Sequence, residues 1–276
     1  MNHITMKELM NRTLHLSGLE GLSFGKGNRK FDDTFTFSLP AGHACPFAKN
    51  CRSCVINNPR KRHDIGDTRK FIIQDGPKST FRCSAAIDEA IRPSVRLARW
   101  RNFLILLSAT AKGKWATVKL IEKTLPNNPK NLPTRVHVSG DYFNQTYFDA
   151  WMEVARRHPG RIFYSYTKAL PFWIKRLDTI PKNVILTASY GGTHDWMIEQ
   201  YGLKFAVVVS SVEEANRLLL KIDHDDSLAL TRDVSFALLI HGSQPKGKMA
   251  KAWMALKKMG MGGYGKNKSR TILAGH

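Results

Sequence analysis

Three of the four cysteines in this 276-residue chain fall inside one ten-residue stretch, Cys45-Pro-Phe-Ala-Lys-Asn-Cys51-Arg-Ser-Cys54, and the fourth is Cys83. In a reducing compartment, thiolates spaced so closely serve metal ligation rather than a disulfide. Four thiolates close a tetrahedral zinc site or hold an iron-sulfur cluster, while three hold a four-iron cluster with one iron open to a ligand. Cys45, Cys51, Cys54 and Cys83 are therefore the expected metal ligands, with His43 and His63 as further donors.

Other polar groups collect just after apolar runs. Ser139-Gly140-Asp141 combines a small turn with a carboxylate, in which Gly140 permits close backbone approach and Asp141 can accept from an amine or activate a hydroxyl. A helix cap is the bland alternative for that carboxylate. Lys168 and His241 follow two further runs as acid-base or phosphate-binding candidates, and Gly191-Gly192 offers backbone against which a cofactor can lie. Asp223-His224-Asp225-Asp226 lacks the spacing of a calcium loop and reads as a charged turn. Gly25-Lys26-Gly27 lacks the Gly-Lys-Ser/Thr ending of a phosphate loop and reads as a flexible basic loop.

The elements that must position these groups alternate along the chain. Six strands are expected, at 34–39, 135–138, 161–167, 184–189, 204–210 and 235–241, most of them β-branched or apolar runs suited to burial on both faces. Helices are expected between them: 79–111, broken or kinked at Pro93; 147–157; 195–201; and 211–221, opened by the Ser211 and Glu214 capping pattern. Strand-helix alternation of this kind implies an α/β fold with about six parallel strands in a partial or closed barrel. The cysteine loop then leaves the C-terminal end of the first strand, on the face where Asp141 also lies. Residues 1–33 form an N-terminal arm, 34–243 the barrel-like domain and 244–276 a basic extension.

Lysine and arginine number 43 against 22 acidic residues, for a net charge of +21. Such an excess calls for a polyanion, nucleic acid above all. The basic residues Lys246, Lys248, Lys251, Lys257, Lys258, Lys266, Lys268 and Arg270 stand in a stretch without acidic ones, interleaved with Trp253 and Tyr264. Lysines release counterions and aromatics stack on bases, so this stretch is the expected nucleic-acid surface. The alternative is an amphipathic helix packed through Met249, Trp253 and Leu256. No apolar run approaches the length of a membrane span, and the N-terminus has no secretory-signal pattern, so a cytoplasmic protein without a membrane partner is expected.

Two resemblances follow. Strand, cysteine-rich loop, helix, second strand and then Ser139-Gly140-Asp141 resembles the layout of radical S-adenosylmethionine enzymes. It implies a 4Fe-4S cluster on Cys45, Cys51 and Cys54, with Ser139, Gly140 and Asp141 orienting S-adenosylmethionine. The cysteine gaps here are five and two residues, where that superfamily has three and two. The phrases Leu39-Pro40 leading into Cys45-Pro46, Ser139-Gly-Asp-Tyr-Phe143, Phe163-Tyr-Ser-Tyr-Thr-Lys168 and Phe236-Ala-Leu-Leu-Ile-His-Gly242 resemble the phage gene product 88 family. That resemblance implies a phage origin, hence the cytoplasm of an infected bacterial host, and no established activity.

The expected function is an iron-sulfur, radical S-adenosylmethionine-like enzyme acting on or near nucleic acid. A non-catalytic nucleic-acid-binding protein, stapled by a four-cysteine zinc or iron-sulfur site, is the alternative. A base-exchanging transglycosylase with Asp141 as nucleophile ranks third.

Overall fold

The computed structural model describes residues 21–27, 34–48, 84–85, 88–89, 92–242 and 248–261. Seven strands form one sheet in chain order: β1 (Gly25–Lys26), β2 (Phe35–Thr36), β3 (Thr134–Val136), β4 (Phe163–Thr167), β5 (Val184–Ser189), β6 (Phe205–Val209) and β7 (Phe236–Leu239). β1 pairs antiparallel to β2, and every later neighbouring pair is parallel. The six expected strands are thus present, adjacent in sequence order and parallel, each joined to the next by a crossover connection. The sheet is not closed by hydrogen bonds.

Among the described residues, eight helices accompany it: α1 (Pro93–Ala111), α2 (Lys114–Thr124), α3 (Gln145–Arg157), α4 (Leu170–Ile174), α5 (Trp196–Gln200), α6 (Val212–Arg217), α7 (Ser227–Leu230) and α8 (Lys248–Lys258). The Asn144 side chain caps α3 by accepting from Tyr147 N at 2.8 Å, and Arg156 and Arg157 in its last turn complement the helix dipole. The buried face of α3 carries Tyr147, Phe148, Trp151, Met152 and Val154 into one core with Phe37, Val136, Phe163 and Val184. Burying each side chain of this size contributes about 1.5–3 kcal/mol. α6 opens as its sequence pattern implies, with Ser211 Oγ accepting from Glu214 N at 3.2 Å; the Glu214 carboxylate turns back to accept from Ser210 N and Oγ.

Side chains alternate across β4, so Phe163 joins the core under α3 while Tyr164 and Tyr166 enter the opposite face. That second face is filled by the chain between α6 and β7. Ala229, with Leu228 and Leu230 beside it, packs on Tyr164, Ile185, Ala206 and Phe236. Lys204 Nζ donates to Leu228, Ala229 and Thr231 carbonyls at 2.9, 2.8 and 2.6 Å, holding the end of α7.

Several expectations are corrected. Gly25-Lys26 is an edge strand, with Gly27 N donating to Thr34 O at 2.7 Å, because backbone pairing to β2 outweighs glycine's freedom. The expected break at Pro93, by contrast, is present: Pro93 opens α1, where proline's missing donor costs nothing, and residues 84, 85, 88 and 89 before it are also helical. α2 is a further helix, absent from the expected set although its buried Thr117, Val118 and Ile121 stand at helical spacing. The aspartate run is a turn, but Asp223 and Asp226 are buried in it rather than solvated. Asp226 accepts from Arg135 at 2.7 Å and from the Tyr164 and Tyr166 hydroxyls at 3.2 Å each.

Candidate active-site rim

The C-terminal ends of the parallel strands carry most of the chemistry-bearing residues onto one rim, the face where such folds build function. The loop after β2 contains Cys45, which is 4% exposed. It is fixed from three sides. Ala44 N donates to Pro40 O at 3.2 Å, Ala41 N donates to Glu89 Oε1 at 2.9 Å, and Ala48 bridges Gly192 while Thr193 N donates to Phe47 O at 2.8 Å. Glu89 is itself buried against Arg99, which donates to it at 2.9 Å. Burial raises the Glu89 carboxyl, and the Arg99 charge opposes that rise.

Cys45 is the cysteine among the described residues; Cys51, Cys54, Cys83 and His63 lie outside them. Among the described residues no group of three or more His, Cys, Asp or Glu is gathered for a metal. His43 is exposed and packs on Trp100, with ring centroids 4.6 Å apart. Ser84, next in the chain after Cys83, packs at the same rim: a Cβ at Gly242 would fall 2.2 Å from its Oγ. The short segment bearing Ser84 and Glu89 therefore touches both the loop after β2, through Glu89, and the end of β7, through Ser84. It spans from the exit of β2 to the exit of β7, two strands that do not pair with each other.

After β3, His137 adopts φ +69°, an uncommon conformation for a residue with a side chain. Its Nε2 lies 3.0 Å from the Tyr147 hydroxyl, and burial pushes the Tyr142 and Tyr147 phenols well up. Ser139 is 3% exposed. Gly140 has φ +82°, and a Cβ there would fall 2.4 Å from Leu39 Cβ and 3.0 Å from its backbone, so this glycine lets β3's exit cross the exit of β2.

Asp141 is 1% exposed. Its Oδ1 accepts from Thr167 Oγ1 at 2.6 Å and Tyr142 N at 2.9 Å, and Oδ2 accepts from Lys168 N at 2.9 Å. The carboxylate clamps the ends of β3 and β4 together. It does not cap α3, a task that falls to Asn144.

Lys168 is buried, and Nζ donates to Ser189 O at 2.7 Å, Ser189 Oγ at 2.8 Å and Tyr190 O. The ammonium's three donors thereby join β4 to the loop after β5. In that loop Gly191 N and Gly192 N donate to the two oxygens of Asp195 at 2.9 and 2.7 Å. A Cβ at Gly192 would lie 3.3 Å from both Lys168 Cβ and Phe47 O. Gly192 thus admits neighbouring chain rather than open space. His241 lies two residues beyond β7, half-buried, beside Gly242 at φ +75°.

The basic extension is only partly described. Lys251, Lys257 and Lys258 are exposed on α8, with Lys257 Nζ 5.5 Å from the Trp253 ring; Lys248 begins that helix. Leu256 is buried against Val209, Ala215 and Leu239, so α8 packs on the sheet through the apolar face its sequence showed. Lys246, Lys266, Lys268 and Arg270 lie outside the described residues.

Sequence reasoning missed several of the groups that hold the rim. Glu89, Arg99 and Asp195 belong to no motif, and each is recognised only once its partner is in place, whereas Thr167 and Ser189 stand at strand ends that the sequence already marks as polar. No described helix is long and apolar enough to cross a membrane.

Comparison with known proteins returns no matching curated protein and no matching solved structure. One family model matches, Gene product 88, over residues 11–258, which takes in every described strand, the cysteine cluster and α8. The chain belongs to the Gene product 88 family.

Proposed function

We propose that this protein is a metal-thiolate enzyme acting on nucleic acid, with its reaction centre at the C-terminal rim of the open barrel. The observation that carries this reading is the anchoring of the Cys45 loop. It leaves a parallel strand end and is held by Glu89 on one side and the Gly192–Thr193 backbone on the other. A loop so constrained is suited to presenting thiolates in a fixed geometry.

The donor set fits zinc or an iron-sulfur cluster, since clustered thiolates select both. Cys45, Cys51 and Cys54 would hold the group, with Cys83 as the fourth ligand of a closed site. An iron-sulfur cluster supplies single electrons, whereas a closed zinc site supplies rigidity. The +21 charge supports a polyanionic substrate.

The residues that the radical-enzyme resemblance assigns to S-adenosylmethionine do not fit that role. The Asp141 carboxylate is buried and engaged by Thr167, Tyr142 and Lys168, and Gly140 is filled against Leu39. The same burial removes Asp141 as a transglycosylase nucleophile. Its part is to position Lys168 and Thr167.

A second reading is favoured by the segment bearing Ser84 and Glu89. Because it joins the loop after β2 to the end of β7, a four-cysteine site including Cys83 would serve as a staple between those two strand exits, in a protein that binds nucleic acid without chemistry.

Nucleoside mass spectrometry on DNA and RNA from cells expressing the protein separates the two. The expected result is an altered nucleoside that disappears with Cys51→Ser. Unaltered nucleosides from cells in which the protein is metal-loaded would overturn the enzymatic reading in favour of the staple.

A further inference from the structure

Trp115, at the start of α2, is 57% exposed. Lys114 Nζ sits 4.1 Å from its ring centroid and Arg157 Cζ, from the end of α3, 5.2 Å. Along the same face of α2, Lys119 and Lys123 follow at intervals of four residues and are exposed, about 6 Å apart along the axis. Arg156 is exposed beside Arg157. The carboxylates in this neighbourhood, Glu122 and Glu153, are engaged: Glu122 with Arg157 at 3.2 Å and His158 at 3.7 Å, Glu153 with Arg156 and Arg157 at 3.1 Å each. Five cations thus stand against two carboxylates on this face, and two of them, Lys114 and Arg157, lie over the ring of the exposed indole, where a base would displace them to stack.

We infer that this face of α2 and α3 is a binding surface for single-stranded nucleic acid, in which an unpaired base stacks on Trp115 while Lys114, Lys119, Lys123 and Arg157 meet the backbone phosphates. An exposed indole ringed by cations matches the two requirements of sequence-tolerant strand binding, an aromatic platform and a cationic track. A duplex keeps its bases stacked internally and so has no base to give the platform. The inference rests on the nucleic-acid part of the proposed function and adds a surface outside the rim and outside α8.

The test is fluorescence anisotropy of a labelled oligo(dT) with the full-length protein across about 50–200 mM salt. Three variants are compared: Trp115→Ala, Trp115→Phe and the double variant Lys119→Ala, Lys123→Ala. All change exposed side chains, and unchanged metal content and melting temperature serve as the control for folding.

Trp115→Ala is expected to weaken binding roughly tenfold, with Trp115→Phe restoring most of it. The double lysine variant is expected to weaken binding and to flatten the log-log salt slope by about 1.4. Strong binding by the intact protein with all variants unchanged would overturn this surface and leave the nucleic-acid reading standing. Absence of oligonucleotide binding by the intact protein at low salt would overturn the reading itself. Trp115-dependent binding to phosphatidylserine vesicles, with none to the oligonucleotide, would assign the surface to membranes and overturn the inference.

Discussion

Asp226 takes three buried donors at once, and its position explains why a run of aspartates sits inside this molecule. Arg135 from β3 and the Tyr164 and Tyr166 hydroxyls from β4 converge on its carboxylate. Removing one member of a buried ion pair leaves the other charge without compensation, which costs about 3–5 kcal/mol. Asp226→Asn keeps the side-chain shape that tolerates φ +60° but removes the charge and replaces one of the two acceptor oxygens with a donor. It is expected to lower unfolding free energy by about 3 kcal/mol in urea titration; a loss below about 1 kcal/mol would show that the pair does not hold the sheet. Asp223 sits beside it with a carboxyl raised above its ordinary 3.8, first by burial and then by the Asp226 charge. The folded state therefore keeps the Asp223 proton at pH values where the unfolded chain has released it. The associated stabilisation is complete below the unfolded value and is lost as pH rises through the raised folded value. Stability measured from about pH 3 upward should fall relative to an Asp223→Asn variant before levelling off, and a difference independent of pH would contradict the assignment.

At the scale of elements, the six parallel strands were legible because their residues carry their own signal. The runs Val184–Ser189 and Phe205–Val209 have too many β-branched and apolar residues for any exposed surface. α6 was legible from Ser211 and Glu214, whose side chains and backbone meet locally. What stayed hidden depended on partners distant in the chain. β1 has two residues, Gly25 and Lys26, neither with strand propensity, and exists because Thr36 and Phe35 lie opposite. Asp141 had the right address, the end of β3, but its chemistry was set by Thr167 and Lys168, 26 and 27 residues onward. Gly140 tests how tightly the rim is built. Its φ is positive and its missing Cβ makes room for Leu39, whereas Gly113 has φ +102° and open space within 4 Å of where a Cβ would stand. Gly113→Ala should cost about 1–2 kcal/mol from backbone strain alone. Gly140→Ala adds a backbone clash and is expected to cost about 3 kcal/mol or more. Equal losses in denaturant titration would show that the exits of β2 and β3 yield easily.

For the whole molecule, charge, topology and thiol placement support a single arrangement. The parallel sheet brings the Cys45 loop and the β3, β4 and β5 exits to one rim, where buried Asp141 and Lys168, together with Asp195, fix their relative positions. The segment bearing Ser84 and Glu89 spans from the loop after β2 to the end of β7, so the proposed metal ligation there would act on the sheet as a whole. The +21 charge supports the proposed polyanionic partner, and the exposed indole on α2 is the surface on which the proposal seats an unpaired base. The most direct test of the central claim is metal and acid-labile sulfide analysis of the anaerobically purified full-length protein, run beside Cys45→Ser. One iron-sulfur cluster per chain, or one zinc if the site is a closed staple, is expected in the wild type and lost in the variant; a folded wild-type protein free of iron and zinc, or metal retained undiminished in Cys45→Ser, would contradict the account.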